Sequence, residues 1–339
     1  MSWPEVTFAT LFGLPTRNGI YKGKEFQGSG VPIVNMKELF AFDRINDQDM
    51  SRLQMTDVEM ERFGLIDGDL LFGRRSLVEE GAGKCSMVTR PSAPMTFESS
   101  IIRVRLDPRL ADPGFYFNYF RSPLGRGRIR AIVNGATVKG IRGSDLKNIK
   151  VHQPPLEEQI AIREIVTTYD ELIATNQRRI ALLEEAARRL YREWFVYLRF
   201  PGHECTKMVG GVPEGWARLT LSDVCEAIGG GTPATSRPEF WGGDVVWVTP
   251  TDVTRNDCVA LLDSERKITE EGLNGSSATL VPPDTILMTS RASIGFFALI
   301  DVPACTNQGF ISVIPRHERS RMYLLQNLMS RVEEMIGLA

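Results

Sequence analysis

Cysteine and histidine are scarce in this chain of 339 residues, and long apolar runs are missing. The five cysteines, Cys85, Cys205, Cys225, Cys258 and Cys305, are odd in number, scattered, and never spaced Cys-x-x-Cys. With only His152, His203 and His317 beside them, neither a zinc site nor a disulfide framework is expected. The thiols read as structural or idle, because a reactive cysteine needs an identifiable electropositive setting. Three histidines in unrelated contexts offer no general-base constellation. No stretch of about 18 apolar residues is present, and the amino terminus lacks the basic and apolar regions of a signal peptide, so the composition fits a soluble, cytoplasmic protein. The length exceeds what one hydrophobic core usually organises, which points to two domains.

Fragments that imitate catalytic motifs fail on detail. Gly81-Ala82-Gly83-Lys84-Cys85 is close to a P-loop, but Val78 stands where the first glycine belongs and Cys85 replaces the hydroxyl residue that holds magnesium. Gln153-Pro154-Pro155-Leu156 echoes the Asn-Pro-Pro-aromatic loop of adenine methyltransferases without its Asn or its aromatic, and no glycine-rich cofactor loop stands upstream. Asp145-x-Lys147 is half a nuclease motif without supporting carboxylates. A non-catalytic protein without cofactor or metal is the expectation.

What the chain does have is a repeat. Trp3-Pro4-Glu5-Val6-Thr7-Phe8 leads into Leu11-Phe12-Gly13 as Trp216-Ala217-Arg218-Leu219-Thr220-Leu221 leads into Val224, about 210 residues later. A Gly-rich loop then feeds an apolar strand, Val31 to Leu39 in one copy and Val245 to Val253 in the other. Thr56-Asp57-Val58-Glu59 has capping-box form and parallels Ile268-Thr269-Glu270-Glu271, each promising a short helix stopped by Gly64 or Gly272. A buried strand with an arginine just past it follows, Leu70 to Arg75 against Ile286 to Arg291. Finally Ala93-Pro94 and Val302-Pro303 precede strands at Ile101 to Val104 and Phe310 to Val313. A period this long is a domain rather than a solenoid unit. Alternating short strands and helices make each copy an α/β (α+β) domain with a mixed sheet.

The net charge of −2 hides a gradient. Residues 1–150 carry 22 Lys/Arg against 17 Asp/Glu, residues 156–200 carry 7 against 8, and residues 201–339 carry 11 against 17. The excess concentrates where Arg121, Arg126, Arg128, Arg130, Lys139, Arg142, Lys147 and Lys150 face a single acid, Asp145. Such a run is commonly a solvated face, and it is also what phosphate contact requires.

Between the copies lies a helix. Pro154, Pro155, Glu157 and Glu158 suit a free amino-terminal helix end. Ile162, Val166, Tyr169, Ile173, Asn176, Ile180, Leu183, Ala187, Leu190, Trp194 and Tyr197 then recur at 4-3 spacing, a coiled-coil seam of about five heptads with Asn176 as its one polar position. A helix from Leu156 to Tyr197 spans roughly 60 Å, and Pro201-Gly202 ends it. A seam that long needs a second helix beside it. Aligning Phe120-Arg121-Ser122 with Leu328-Met329-Ser330 sets Ala131 opposite Ala339, so no counterpart of Ile132 to Phe195 is present in the second copy.

These landmarks together resemble the specificity (S) subunit of type I restriction-modification systems, over essentially the whole chain. The most specific element is the helix entrance Pro154-Pro155-Leu156-Glu157-Glu158-Gln159-Ile160, preceded by Asn134-Gly135-Ala136-Thr137-Val138-Lys139-Gly140-Ile141. Gly229-Gly230-Gly231-Thr232-Pro233 and the Trp247 strand look like the opening of a second recognition domain. The departure is the end of the chain, where a second spacer helix is expected and missing. The resemblance implies target-recognition domains at 1–153 and 201–339 and a spacer helix at 154–200. It further implies a non-catalytic reader of a bipartite target in double-stranded DNA, with methyltransferase (M) subunits docked on the helices and the restriction (R) subunit joined through them. Paired helices would hold the half-sites at fixed separation.

Contact candidates in the first domain are Lys22, Lys24, Asn35, Lys37, Arg74, Arg75, Lys139 and Arg142; the aligned second domain gives Thr251, Arg255, Arg291, Asn307 and Gln308. Arginine suits a bidentate guanine contact, Asn or Gln suits adenine, and lysine suits phosphate. Arg75 and Arg291 are the better placed, following equivalent strands; the bland alternative is an arginine that pins a loop to a carboxylate. The partner interface is assigned to the seam from Ile162 to Trp194. The rival reading is a coiled-coil assembly or regulatory protein that self-associates through the helix without specific DNA reading.

Overall fold

The computed structural model describes residues 3–77, 81–135, 137–291 and 293–338. Val78, Ala136 and Ala339, named above, lie outside the described residues. The chain forms two compact units, residues 1–173 and 174–339.

Unit 1 contains strands β1 (Phe12–Asn18), β2 (Gln27–Val34), β3 (Arg44–Ile45), β4 (Arg52–Leu53), β5 (Leu70–Gly73), β6 (Cys85–Val88), β7 (Thr96–Phe97) and β8 (Ile101–Leu106). Five of them make a sheet in the order β1-β8-β5-β6-β3, antiparallel except for the β3–β6 pair, and β4-β2-β7 make a smaller sheet in which β2 and β7 run parallel. Unit 2 contains β9 (Cys225–Gly229), β10 (Trp241–Val248), β11 (Ala260–Leu261), β12 (Arg266–Ile268), β13 (Ile286–Thr289), β14 (Phe297–Ile300), β15 (Ala304–Thr306) and β16 (Phe310–Pro315). Their orders, β9-β16-β13-β14-β11 and β12-β10-β15, reproduce those of unit 1 strand for strand.

The likeness extends to irregularities that side-chain preference alone would not produce. In β2 both Gln27 and Val31 pair with Leu53, and in β10 both Trp241 and Val245 pair with Ile268, the same interruption at the same place. Glycine is required there. A Cβ at Gly30 would stand 2.3 Å from the Leu53 carbonyl oxygen and one at Gly243 would stand 2.6 Å from that of Ile268. Gly19 and Gly230 form a second such pair, each with space for its Cβ denied by the carbonyl oxygen of Glu98 or Asn307 at 2.1 Å.

The capping signals act as expected in the first copy. Thr56 accepts the Glu59 backbone N–H and the Glu59 carboxylate accepts the Thr56 N–H, starting α2 (Asp57–Phe63), which follows α1 (Met36–Ala41) and stops at Gly64. In the second copy Thr269 caps the equivalent helix, Glu270–Asn274, but Gly272 lies within it and Gly275 terminates it. Gly272 is there for space instead: a Cβ would meet the Phe240 carbonyl oxygen at 2.4 Å.

The core of unit 1 lies on the face of the large sheet where β8 presents Ile102 and Val104 to Phe8, Phe72, Tyr116, Phe117 and Phe120. Phe8 meets Phe120 at 4.9 Å and Phe72 meets Phe120 edge-on at 5.1 Å between centroids. Burying each such ring stabilises the fold by about 1.5–3 kcal/mol. Helix α3 (Pro113–Arg121) supplies most of these rings and is started by Asp112, whose carboxylate accepts the Phe115 N–H at 2.8 Å.

The long helix, α4, runs from Leu156 to Tyr191 and continues as a π-helical turn at Arg192–Val196. Its α part is about 54 Å long at 1.5 Å per residue. Fully buried Gln159 pins its start. The Gln159 amide donates to the Pro154 carbonyl at 2.8 Å and its oxygen accepts the Asp112 N–H at 2.9 Å. The glutamine of the Pro-Pro-Leu-Glu-Glu-Gln run thus ties helix entrance to α3. No helix among the described residues is long and apolar enough to cross a membrane.

Candidate nucleic-acid interface

In unit 1 the large sheet ends at a basic ribbon. Just past β5, Arg75–Ser76 pairs antiparallel with Lys139–Gly140, in register Lys139 with Ser76 and Gly140 with Arg75. The Arg74 carbonyl accepts the Ile141 N–H at 3.0 Å, so both segments are held by backbone. Arg74, Arg75, Lys139 and Arg142 line one cleft of about 440 Å³ together with Asn134. Asn134 and Arg142 also line a neighbouring cleft of about 590 Å³ with Asp145 and Asn148. Arg75 and Arg142 are exposed. Four of the eight candidates of the first copy therefore meet at one place, although Arg75 and Lys139 are more than sixty residues apart in sequence.

The other four sit elsewhere. The Lys22 ammonium bonds the Glu59 carboxylate at 2.6 Å and the Gln54 carbonyl at 2.9 Å, and lies 4.8 Å over the Phe26 ring. Lys22 is thus occupied in holding α2, and its hydrogen bond, with that of the Thr56 N–H, keeps the Glu59 carboxyl below the usual carboxylate range. Lys24 is exposed in the 3₁₀ turn Lys24–Phe26. Asn35 is the N-cap of α1, its N–H bonded to the Glu38 carboxylate at 3.0 Å. Lys37 is exposed in the first turn of that helix, which packs over the end of β5: a Cβ at Gly73 would meet Leu39 at 3.0 Å and Met36 at 3.2 Å.

In unit 2 the ends of the equivalent strands are tied by equivalent hydrogen bonds. The Asn307 N–H donates to the Val248 carbonyl at 3.1 Å as Glu98 does to Val34 at 3.0 Å, and Ser290 donates to Gly309 at 2.7 Å as Arg74 does to Ser100 at 2.8 Å. The ends of β10, β13 and β15 thereby gather Asn307, Gln308, exposed Arg291 and, on α5 (Pro250–Thr254), exposed Thr251 in the position of Lys37. Asn307 Oδ1 accepts the Gly309 N–H at 2.9 Å, and Gln308 bonds the Thr232 hydroxyl. Arg255, at the end of α5, pairs with exposed Glu265 at 3.7 Å.

The basic stretch from Arg121 to Lys150 is not one continuous cationic face. Arg121 pairs with Asp43 at 2.9 Å and Asp170 at 3.6 Å, Arg128 pairs with Glu5, Arg126 donates to the Gly83 carbonyl at 3.1 Å, and Lys150 donates to Thr7 at 3.0 Å. These cations stitch unit 1 together. What remains open is the stretch around Arg130, Lys139 and Arg142.

The seam of α4 divides in a similar way. Ile162, Val166, Ala187 and Trp194 are half-buried, while Tyr169, Ile173, Asn176, Ile180, Leu183 and Leu190 are exposed, Leu183 to 67% and Tyr169 to 64%. Ile165 and Leu172 widen the exposed apolar stripe. Among the described residues no group of His, Cys, Asp and Glu suits a metal ion.

Comparison with known proteins identifies the family. The family model described as "Type I restriction modification DNA specificity domain" matches residues 23–185 and again 213–338. The chain belongs to this family. Among the relatives of the specificity-domain chain, the MjaIX specificity subunit of Methanocaldococcus jannaschii is 41% identical over 108 residues, which is 32% of this chain and 25% of that one. The EcoKI specificity subunit of Escherichia coli is 31% identical over 160 residues, 47% of this chain and 33% of the other. The MjaX specificity subunit, also of Methanocaldococcus jannaschii, is 23% identical over 328 residues, covering 94% and 74%. The matched segments thus span about a quarter to a third of the first relatives. A solved S subunit of a type I restriction-modification system from M. genitalium shares the fold, with a TM-score of 0.60 at 16% identity over 99% of this chain and 79% of that one.

Two polar residues at this edge, Asn134 and Asn148, are absent from the contact candidates named from the sequence. Asn134 lines both clefts and Asn148 one of them. Asn134 stood inside a recognised motif, and its place in a loop beside cations was the available signal.

Proposed function

We propose that this chain is the DNA-recognition subunit of a type I restriction-modification system: a non-catalytic protein, working in the cytoplasm, whose two units each read one half of a bipartite duplex target. The observation that carries the reading is the recurrence, in two units of identical strand order, of an exposed arginine directly after the same strand and beside the same parallel strand ends, Arg75 and Arg291. Guanidinium groups on a fixed sheet edge can address base edges in a major groove, while neighbouring lysines such as Lys37 and Lys139 neutralise phosphate. The exposed stripe of α4 from Tyr169 to Leu190 supports docking of methyltransferase subunits there, and of the restriction subunit through them. The same stripe also favours a second reading, self-association of the chain through the helix.

The test is retardation of duplexes by the chain together with its methyltransferase subunit. One split sequence should be held in preference to all others, with an affinity that falls steeply as salt rises. Equal retardation of every duplex would overturn specific reading.

A further inference from the structure

The amide side chains at the edge of unit 2 are oriented, and their orientation selects the kind of base edge they fit. The Asn307 amide oxygen accepts the Gly309 N–H at 2.9 Å. A backbone N–H can only donate, so the Asn307 amide nitrogen faces the other way. That nitrogen is not buried and has no hydrogen-bond partner among the described residues. Exposed Gln308 takes the Thr232 hydroxyl on its own amide oxygen, and its nitrogen too has no partner there. Exposed Arg291 carries donors alone and has no ion-pair partner among the described residues.

Both amides are held in place by the fold around them. The Asn307 N–H is fixed on the Val248 carbonyl at 3.1 Å. Thr232 belongs to a glycine-rich loop pinned by two indoles: Trp247 Nε1 donates to the Gly231 carbonyl at 3.0 Å and Trp241 Nε1 to the Ala234 carbonyl at 3.3 Å. Side chains preset in this way lose little freedom on binding, so their orientation persists in a complex. A bidentate contact with adenine needs one amide atom to accept from N6 and the other to donate to N7. With both amide oxygens occupied inside the protein, Asn307, Gln308 and Arg291 turn N–H groups outward. Guanine is the base whose major-groove edge consists of acceptors, N7 and O6, with no donor. The matching position of unit 1 is built differently: Glu98 stands where Asn307 does and spends its carboxylate on the Met36 N–H at 2.8 Å, and Ser99 stands where Gln308 does.

We propose that Asn307 and Gln308 act as hydrogen-bond donors that select guanine in the half-site read by unit 2, and not adenine as their residue types alone suggest. This selectivity rests on the DNA reading proposed above and specifies its chemistry.

The experiment selects duplexes from a random library with the full chain bound to its methyltransferase subunit, then substitutes the selected duplex base by base. 7-Deazaguanine, which lacks N7, is expected to weaken binding about tenfold at a guanine of one half-site, whereas inosine, which keeps N7 and O6, leaves it within about twofold. Asn307→Asp retains an oxygen for the Gly309 N–H and exchanges the donor for an acceptor. The preference for guanine at that position should fall about tenfold, with cytosine, whose N4 donates, gaining. Gln308→Glu should act in the same way at its own contact. The added charge weakens every duplex alike, so the ratio of affinities is the readout, and unchanged discrimination in the other half-site shows that each variant is folded. A preferred duplex that tolerates 7-deazaguanine throughout, that is indifferent to Asn307→Asp, or whose discrimination changes at an adenine overturns guanine selection and leaves DNA reading intact. Equal retardation of every duplex overturns both.

Discussion

At the scale of single residues, the structure separates cations by what already holds them. Lys22, Arg121 and Arg128 have carboxylate partners, whereas Arg75 and Arg142 are exposed beside a cleft. If the edge reads DNA, Arg75→Ala should cost about 1–3 kcal/mol on the preferred target and relax discrimination at one base pair. Lys139→Ala should weaken all duplexes alike and reduce the salt slope by about one, as a salt titration of the two variants would show. The Lys22–Glu59 pair gives a prediction with a defined sign. The folded-state Glu59 carboxyl sits below its ordinary value of 4.5, so its contribution to stability is present above that pH and lost as the pH falls through the folded value. Glu59→Gln should therefore lower the urea midpoint at pH 7, and lower it progressively less as the pH falls below 4.5.

At the scale of elements, the long helix was legible from its heptads and its proline entrance, and so were the β5 and β13 strands, whose four residues are all buried. These signals are local: a periodic stripe or an apolar run sets its own structure. What a helix face touches is another matter. Tyr169 and Tyr191 belong to the same helix, yet the first is 64% exposed and the second 8%. Leu183→Glu, on the open stripe, should change the chain's own stability by less than about 0.5 kcal/mol and, if the proposed methyltransferase docking uses this stripe, still weaken it, measurable by co-purification. Tyr191→Ala should cost about 3 kcal/mol in unit 2, since it empties an aromatic seat and leaves the Asn327 amide without its partner. The misplaced stop at Gly272 has the same origin. Gly272 and Gly275 are three residues apart in one short helix, and packing against Phe240 decides that the first is interior.

At the scale of the whole molecule, thiol chemistry offers a count. Cys85, Cys225 and Cys305 are buried, and burial raises all three thiols, Cys305 to about 11, with Glu270 adding to the effect there. Cys205 is exposed and Cys258 half-buried. A disulfide-exchange reagent should titrate Cys205 quickly and Cys258 more slowly in the folded protein, and reach the other three only in denaturant. The balance of charge belongs to this scale too. Unit 2 is acidic, so if the chain binds duplex DNA, the salt dependence is expected to come chiefly from the first unit, with Lys139→Ala reducing it.

The sequence by itself determined the repeat, the short capped helices, the buried strands and the long amphipathic helix, because each rests on propensity, capping or periodicity within a few residues of chain. Only the tertiary structure decided which charges are spent and which are free. Arg128 finds Glu5 across 123 positions, Arg121 reaches Asp170, and Lys139 is brought to Arg75 by a ribbon of two residue pairs. An ion pair or a cleft is made by distance in space, and separations of that length along the chain are fixed only when the two sheets and the core between them have formed.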